Sequence, residues 1–317
     1  MVWLLTKLGR HATQVLFVGV FIGLALPSLA SLFRPLLAPA VIILLFAALL
    51  RVNWAAMAAY FRQPGVTGLL TIWLLLVSPI LTWLLLDFFP IPESLSAAVV
   101  LMAAAPPILG SASIAMILGL DGALVVVGAL LATLLTPLTV PPLALQLLGI
   151  QLDIGLGAFM GRLGLVVAIA FAGALIVRRF ISPEALAARA QLLDGIVVTV
   201  MLIFAIAIMA GVTDAIFERP ETVALWTVAA FVANPVLQLL GIAAFSWLGL
   251  RKALSIGLLS GNCNMGLLLA ALPAEKDADV LLFFAIAQLP MYMLPVLMVP
   301  FYRRLLNRNT NTTQNLG

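Results

Sequence analysis

Of 317 residues, 64% are hydrophobic and 9% charged, where an ordinary soluble domain carries roughly 25% charged residues. One cysteine, Cys263, and one histidine, His11, exclude a disulfide framework and a Cys/His metal cage. The net charge of +4 comes from basic residues scattered singly between apolar runs, a pattern that orients a chain in a bilayer rather than one that binds nucleic acid.

Apolar runs of about 20 residues, enough to cross a ~30 Å hydrocarbon core, recur along the chain, and the mean hydropathy is +1.24. The first run, with basic residues before it and small residues near Ala30, mimics a cleavable signal. The membrane segments that follow make a first transmembrane helix the better reading. Polar punctuation then predicts ten spans, at 12–33, 35–51, 66–88, 94–118, 122–149, 156–178, 190–212, 222–248, 252–273 and 279–302. Residues 303–317 form a polar tail, expected to be mobile and outside the bilayer.

With a cytoplasmic N-terminus, the inner segments hold Lys7, Arg10, Arg51, Arg62, Arg178, Arg179, Arg189, Arg251, Lys252, Arg303, Arg304 and Arg308, twelve of the sixteen basic residues. The outer segments hold Arg34, Arg162, Arg219 and Lys276. This bias fits an even number of spans in a cell's inner membrane, with both termini cytoplasmic.

A shift of 156 positions places Leu36-Leu37 on Leu192-Leu193, Phe61 on Phe217, Pro64 on Pro220 and Pro79 on Pro235. With a five-residue deletion, GSASI (110–114) overlays GNCNM (261–265). Chance matching between apolar runs is the competing explanation. As a repeat, residues 1–150 and 151–302 are two five-helix halves, and an odd number of spans in each makes them inverted, a plan common among secondary transporters. The predicted fold is therefore an all-α integral membrane protein of ten transmembrane helices in two inverted five-helix repeats.

Two spans carry the polar chemistry. Pro106 and Pro107 lack amide donors, and Pro107 biases Pro106 away from helical geometry, so the fourth span is expected to break there. Gly110 permits further irregular backbone, and Gly261 stands beside Asn262 and Asn264 in the ninth span. Broken backbone at membrane depth survives where it is buried in protein or lines a watery cavity. Its freed N–H and C=O groups, and the positive ends of the half-helices that follow, then suit an anion. Pro107, Gly110, Ser111, Ser113, Gly261, Asn262, Cys263 and Asn264 are the candidate substrate-binding residues, with Ser111, Ser113, Asn262 and Asn264 as two facing polar patches. The alternative is packing, since Ser and Asn also join membrane helices at roughly 0.6 kcal/mol per contact. Gln288, Asn234 and Gln238 either reach the cavity or cross-link helices, and Gln288 is counted with the site. Asp121 and Asp194, near inner helix ends, suit helix capping first and proton relay second.

These stretches resemble the bile acid:sodium symporter family. SPILTW (78–83) resembles a Pro-x-x-x-Trp motif, and PPILGSAS (106–113) stands where the family has Pro-Gly-Gly-Thr-x-Ser-Asn. LDGAL with TLLTPL (120–124, 133–138) resembles the family's fifth span, and SGNCNMGL (260–267) stands where it has Glu-x-Gly-x-Gln-Asn-x-Gly-Leu. The resemblance implies ten spans in inverted repeats, with broken helices 4 and 9 crossing, and transport of an organic anion with sodium. It also implies where sodium ligands would stand, and there this chain departs. The acidic ligand becomes Leu259, the glutamines become Cys263 and Leu74, the asparagine becomes Ala112, and two hydroxyl ligands become Val125 and Ala129. Ser111 alone keeps its chemistry. No Asp or Glu lies between Glu221 and Glu275, and leucine offers a hard cation no oxygen. The residues leave sodium open and imply no metal site and no cofactor. A carrier of a small organic anion is the expectation, working as a symporter, a sodium-free facilitator or exchanger, or a proton-linked porter of the auxin-efflux-like type. A non-transporting receptor on the same scaffold is the second class. An enzyme is not expected, because no general base or metal cluster faces Cys263 or the serines.

Overall fold

The computed structural model describes residues 12–52, 60, 64–148, 155–272 and 278–314. Of the residues named above, Lys7, Arg10, His11, Phe61, Arg62, Glu275 and Lys276 lie outside the described residues. Among the described residues every extended element is a helix.

In chain order these are α1 (Ala12–Ala25), α2 (Pro27–Phe33), α3 (Leu37–Leu50), α4 (Pro64–Ile72), α5 (Ser78–Leu86) and α6 (Glu93–Ala104). There follow α7 (Ser111–Ile117), α8 (Gly122–Leu148), α9 (Leu156–Phe180), α10 (Pro183–Ala188), α11 (Ala190–Ile208) and α12 (Val212–Glu218). The last six are α13 (Pro220–Ala244), α14 (Leu250–Gly261), α15 (Met265–Ala271), α16 (Ala278–Ile286), α17 (Gln288–Leu297) and α18 (Val299–Gln314). Proline opens α2, α4, α10 and α13, where its missing N–H is one that no helix uses.

Six stretches among the described residues are long and apolar enough to cross a bilayer: Pro27–Leu50, Pro64–Leu86, Gly122–Gln146, Leu156–Phe180, Ala190–Glu218 and Pro220–Ala244. Ala278–Leu294 with Val299–Leu306, bent by 47°, adds a seventh if counted as one span. The spans expected at 94–118 and 252–273 are the split pairs α6–α7 and α14–α15.

Two expectations shift. The first chain break falls at Leu26, before Pro27, and Arg34–Leu36 is a 3-10 turn linking α2 to α3. Proline at the start of a helix ends the preceding one more firmly than a single arginine does. Residues 303–314, read as a polar tail, continue α18. Tyr302 is buried, and Leu305 and Leu306 pack against a hydrophobic cluster, so apolar contact extends the helix past Arg303 and Arg304.

The chain divides into two compact units. The first holds residues 1–52, 152–225 and 266–286. In it α1 and α11 approach so closely that a side chain at Gly23 would meet the Ile206 carbonyl at 2.7 Å. Arg178 donates from Nη1 to the Leu50 and Val52 carbonyls (2.7 and 3.0 Å), and Arg51 pairs with Asp194 at 2.7 Å.

The second unit holds residues 53–151, 226–265 and 287–317. Pro79 cannot bond the Leu75 carbonyl, and the helix widens just before it into a π turn at Trp73–Val77. Trp73 then reaches Ser260 Oγ with its indole N–H (2.9 Å) and meets Phe245 edge-on, with centroids 5.8 Å apart. Around it lies a buried cluster that includes Leu70, Leu74, Ala112, Val125, Ala129, Leu254, Leu258 and Leu259.

Candidate functional site

The site grows from two failed helices within the second unit. α6 cannot continue past Ala104, because Ala105 is already extended (φ −65°, ψ 140°) and two prolines follow. α14 stops at Asn262, which adopts φ −90°, ψ 67°. Each break supplies what the other lacks. Pro107 and Cys263 form an antiparallel bridge, the Ile108 amide donates to the Asn262 carbonyl at 2.8 Å, and the Asn264 amide donates to the Pro106 carbonyl at 2.6 Å. Exposed backbone groups are costly in an apolar surround, and this exchange removes four of them at once. The two broken helices are thus joined by the backbone itself.

That exchange leaves little backbone for a ligand. Pro106 and Pro107 have no N–H, and the amides of Ile108 and Asn264 are spent. The Asn262 side chain at the break is the group that stands out. It is 1% exposed, and neither Oδ1 nor Nδ2 has a hydrogen-bond partner. A buried amide in that state costs about 1–3 kcal/mol, so it calls for an explanation in function.

The other candidates are distributed unevenly. Pro107, Asn262, Cys263 and Asn264 meet at the bridge, and Cys263 Sγ donates to the Ser260 carbonyl at 3.3 Å. Ser111 is buried at the start of α7, while Ser113 is exposed. Two positions apart on a helix point to opposite sides, so the two serines do not form one patch. Gln288 is buried at the start of α17. Gly110 takes an ordinary right-handed conformation (φ −61°, ψ −20°), so its freedom is unused.

Gly261 matters for space rather than flexibility. A side chain there would run into Gln238 Cγ and lie 2.7 Å from the Asn234 carbonyl. Asn234 Nδ2 donates to the Gly261 carbonyl (2.7 Å), Gln238 Nε2 donates to Asn234 Oδ1 (2.7 Å), and Tyr302 OH donates to Gln238 Oε1 (2.6 Å). Asn234 and Gln238 therefore cross-link helices, Tyr302 completes a network that sequence reasoning missed, and Trp73 makes a separate bond to Ser260 that it also missed. The available signal was that buried Tyr and Trp tips need partners. Gly261→Ala is expected to destabilise the protein by about 1–3 kcal/mol through overpacking, seen as a lower melting temperature in detergent.

Five of the seven positions where the resemblance puts sodium ligands also come together, as hydrocarbon. Leu74, Ala112, Val125, Ala129 and Leu259 belong to one buried cluster. Leu259 Cδ1 lies 3.0 Å from where a Cβ on Gly128 would stand, so the space is filled. Among the described residues no group of three His, Cys, Asp or Glu side chains could hold a metal ion.

Asp121 has a structural task. Its Oδ1 accepts from the Leu124 amide (3.0 Å) at the start of α8, and Oδ2 accepts from the Tyr60 hydroxyl. Outside the spans, burial first and the Asp121 carboxylate second hold the Tyr60 phenol above its usual range. Asp194 is paired with Arg51.

Apolar spanning helices and two mutually paired helix breaks define a multi-pass integral membrane protein. The family model described as the Sodium Bile acid symporter family matches residues 38–216, more than half of the chain, and the protein belongs to that family of transporters. The matched stretch contains the first break and ends before the second. No individually curated protein matches the chain.

Proposed function

We propose that the protein is a secondary transporter of a small organic anion that works by alternating access and without sodium. One set of helices rocks against the crossed-helix core, and the substrate binds at the crossing through Asn262, with Pro107, Gly110, Ser111, Gly261, Cys263, Asn264 and Gln288 around it. The single observation that carries this reading is the Asn262 amide, buried at the meeting of two broken helices with donor and acceptor both unused. An uncharged amide can bind and release a polar solute. The anionic class rests on family membership, because α7 and α15, seven residues each, are too short to supply strong dipoles alone. Sodium independence is supported by the leucines, valine and alanines packed where the family's ligands would stand.

The fold we propose is two inverted five-helix repeats, residues 1–150 and 151–302. The shift of 156 supports it beyond the proline matches. It carries Pro106, Pro107 and Ile108 onto Asn262, Cys263 and Asn264, so the two backbone hydrogen bonds of the crossing exchange places. It also carries the buried Ser78 and Thr82 onto Asn234 and Gln238. The register is ungapped, which sets Gly110 against Gly266 rather than Gly261. Both termini lie on the cytoplasmic side of the inner membrane in this proposal. The pairing of inner-segment Arg51 with Asp194, and of outer-segment Arg219 with Asp279, agrees with that sidedness.

Counterflow in proteoliposomes tests the function. A carrier exchanges external labelled anion for trapped unlabelled anion and returns it chemically unchanged. A receptor on this scaffold gives no exchange, and an enzyme returns an altered molecule.

A further inference from the structure

We propose that the first unit holds a second binding site, for a small molecule with an anionic head on an apolar body. A cleft of about 310 Å3 lies wholly within that unit, at the small end of the roughly 300–1,000 Å3 typical of ligand pockets. Arg34, in the turn between α2 and α3, and Arg219, between α12 and α13, line it. Leu37, Ile208, Leu281 and Leu282 form its apolar wall. Among the described residues that line it there are two guanidinium groups and no carboxylate.

Asp279 follows Ala278 of that lining, and its Oδ1 accepts from Arg219 Nη1 at 2.6 Å. The two side chains are 44% and 31% exposed, and exposed pairs of this kind are weak. An entering carboxylate, sulfonate or phosphate can therefore take Arg219 from Asp279 and gain a planar, forked donor in return. Arg34 adds a second positive charge from a separate element. The apolar wall then selects for an organic body over an inorganic ion. The cleft shares no residue with the crossing, so it is a different site from the one proposed for transport.

The test is equilibrium binding of labelled naphthoate to protein in phosphatidylcholine nanodiscs, with neutral naphthylmethanol as the uncharged control. The expected result is saturable naphthoate binding that weakens at least tenfold in the Arg34→Gln/Arg219→Gln double variant. Asp279→Asn, which frees Arg219, should tighten it several-fold, and Arg219→Lys should retain part of it in a protein that elutes and melts normally. Nanodiscs made with phosphatidylglycerol separate the sources of the anionic head. If that lipid displaces naphthoate, the natural occupant is a lipid headgroup, and if it does not, the occupant is a soluble anion. Binding that is unchanged in the double variant, or equal for the alcohol, overturns the proposal. The readout involves no transport, so its failure and the failure of the transport reading are seen separately.

Discussion

Asn262→Leu is expected to abolish transport while leaving the protein at least as stable as before. The two side chains share one branched skeleton of four heavy atoms, so no cavity opens, and the bulkier methyl groups of leucine add only local crowding. What changes is that a buried amide with two unused polar atoms is replaced by hydrocarbon. Removing the unmet hydrogen-bonding demand should stabilise the protein by about 1–2 kcal/mol. Transport should fall in the same variant. Two hydrogen bonds to a charged solute contribute about 1.5–3 kcal/mol each, so their loss corresponds to a rate on the order of 100-fold to 10,000-fold lower. Thermal melting and counterflow on one preparation check both halves. A variant that is less stable and transports normally would make Asn262 a packing residue.

The second large effect is expected from Leu259→Glu, which returns a carboxylate to the position where the family resemblance has one. Leu259 is fully buried, packed among Leu70, Leu254 and Leu258 beside Gly128. An unpaired charge there costs about 3–5 kcal/mol, and burial favours the neutral acid instead. One oxygen pair does not make a sodium site when Leu74, Val125 and Ala129 supply none. The variant should therefore melt well below wild type, and equally so in sodium and in potassium. A sodium-dependent recovery of its melting temperature would show that other oxygens already surround the position.

Much of this was legible in the sequence because proline writes its effects locally. Pro106-Pro107 announced the break after α6. Asp121 was legible as a cap for the same reason, since capping needs only the next few residues. The partners of the break were not legible. GSASI and GNCNM match in residue type, yet the backbone pairs 106–108 with 262–264, and no local pattern encodes that register. Nor did the motif reveal that Asn262 would be sealed in while Asn264 stays partly exposed and Ser113 faces outward. The Asn234–Gln238–Tyr302 network joins residues up to 64 positions apart, a contact that only the fold creates. Gly261 was noticed as the neighbour of the two asparagines, and its role is to let α13 approach.

The account turns on a carrier that binds an organic anion without sodium. The most direct measurement is the melting temperature of detergent-purified protein against a panel of organic anions, first in sodium and then in potassium buffer. A ligand at about 100 times its dissociation constant stabilises the folded state by roughly 2.7 kcal/mol, which such a scan resolves. The account predicts that a stabilising anion gives the same shift in both buffers, and that Asn262→Leu removes it in both. Stabilisation that appears only in sodium would contradict it, and would mean that the cluster around Leu259 is not where the ion binds.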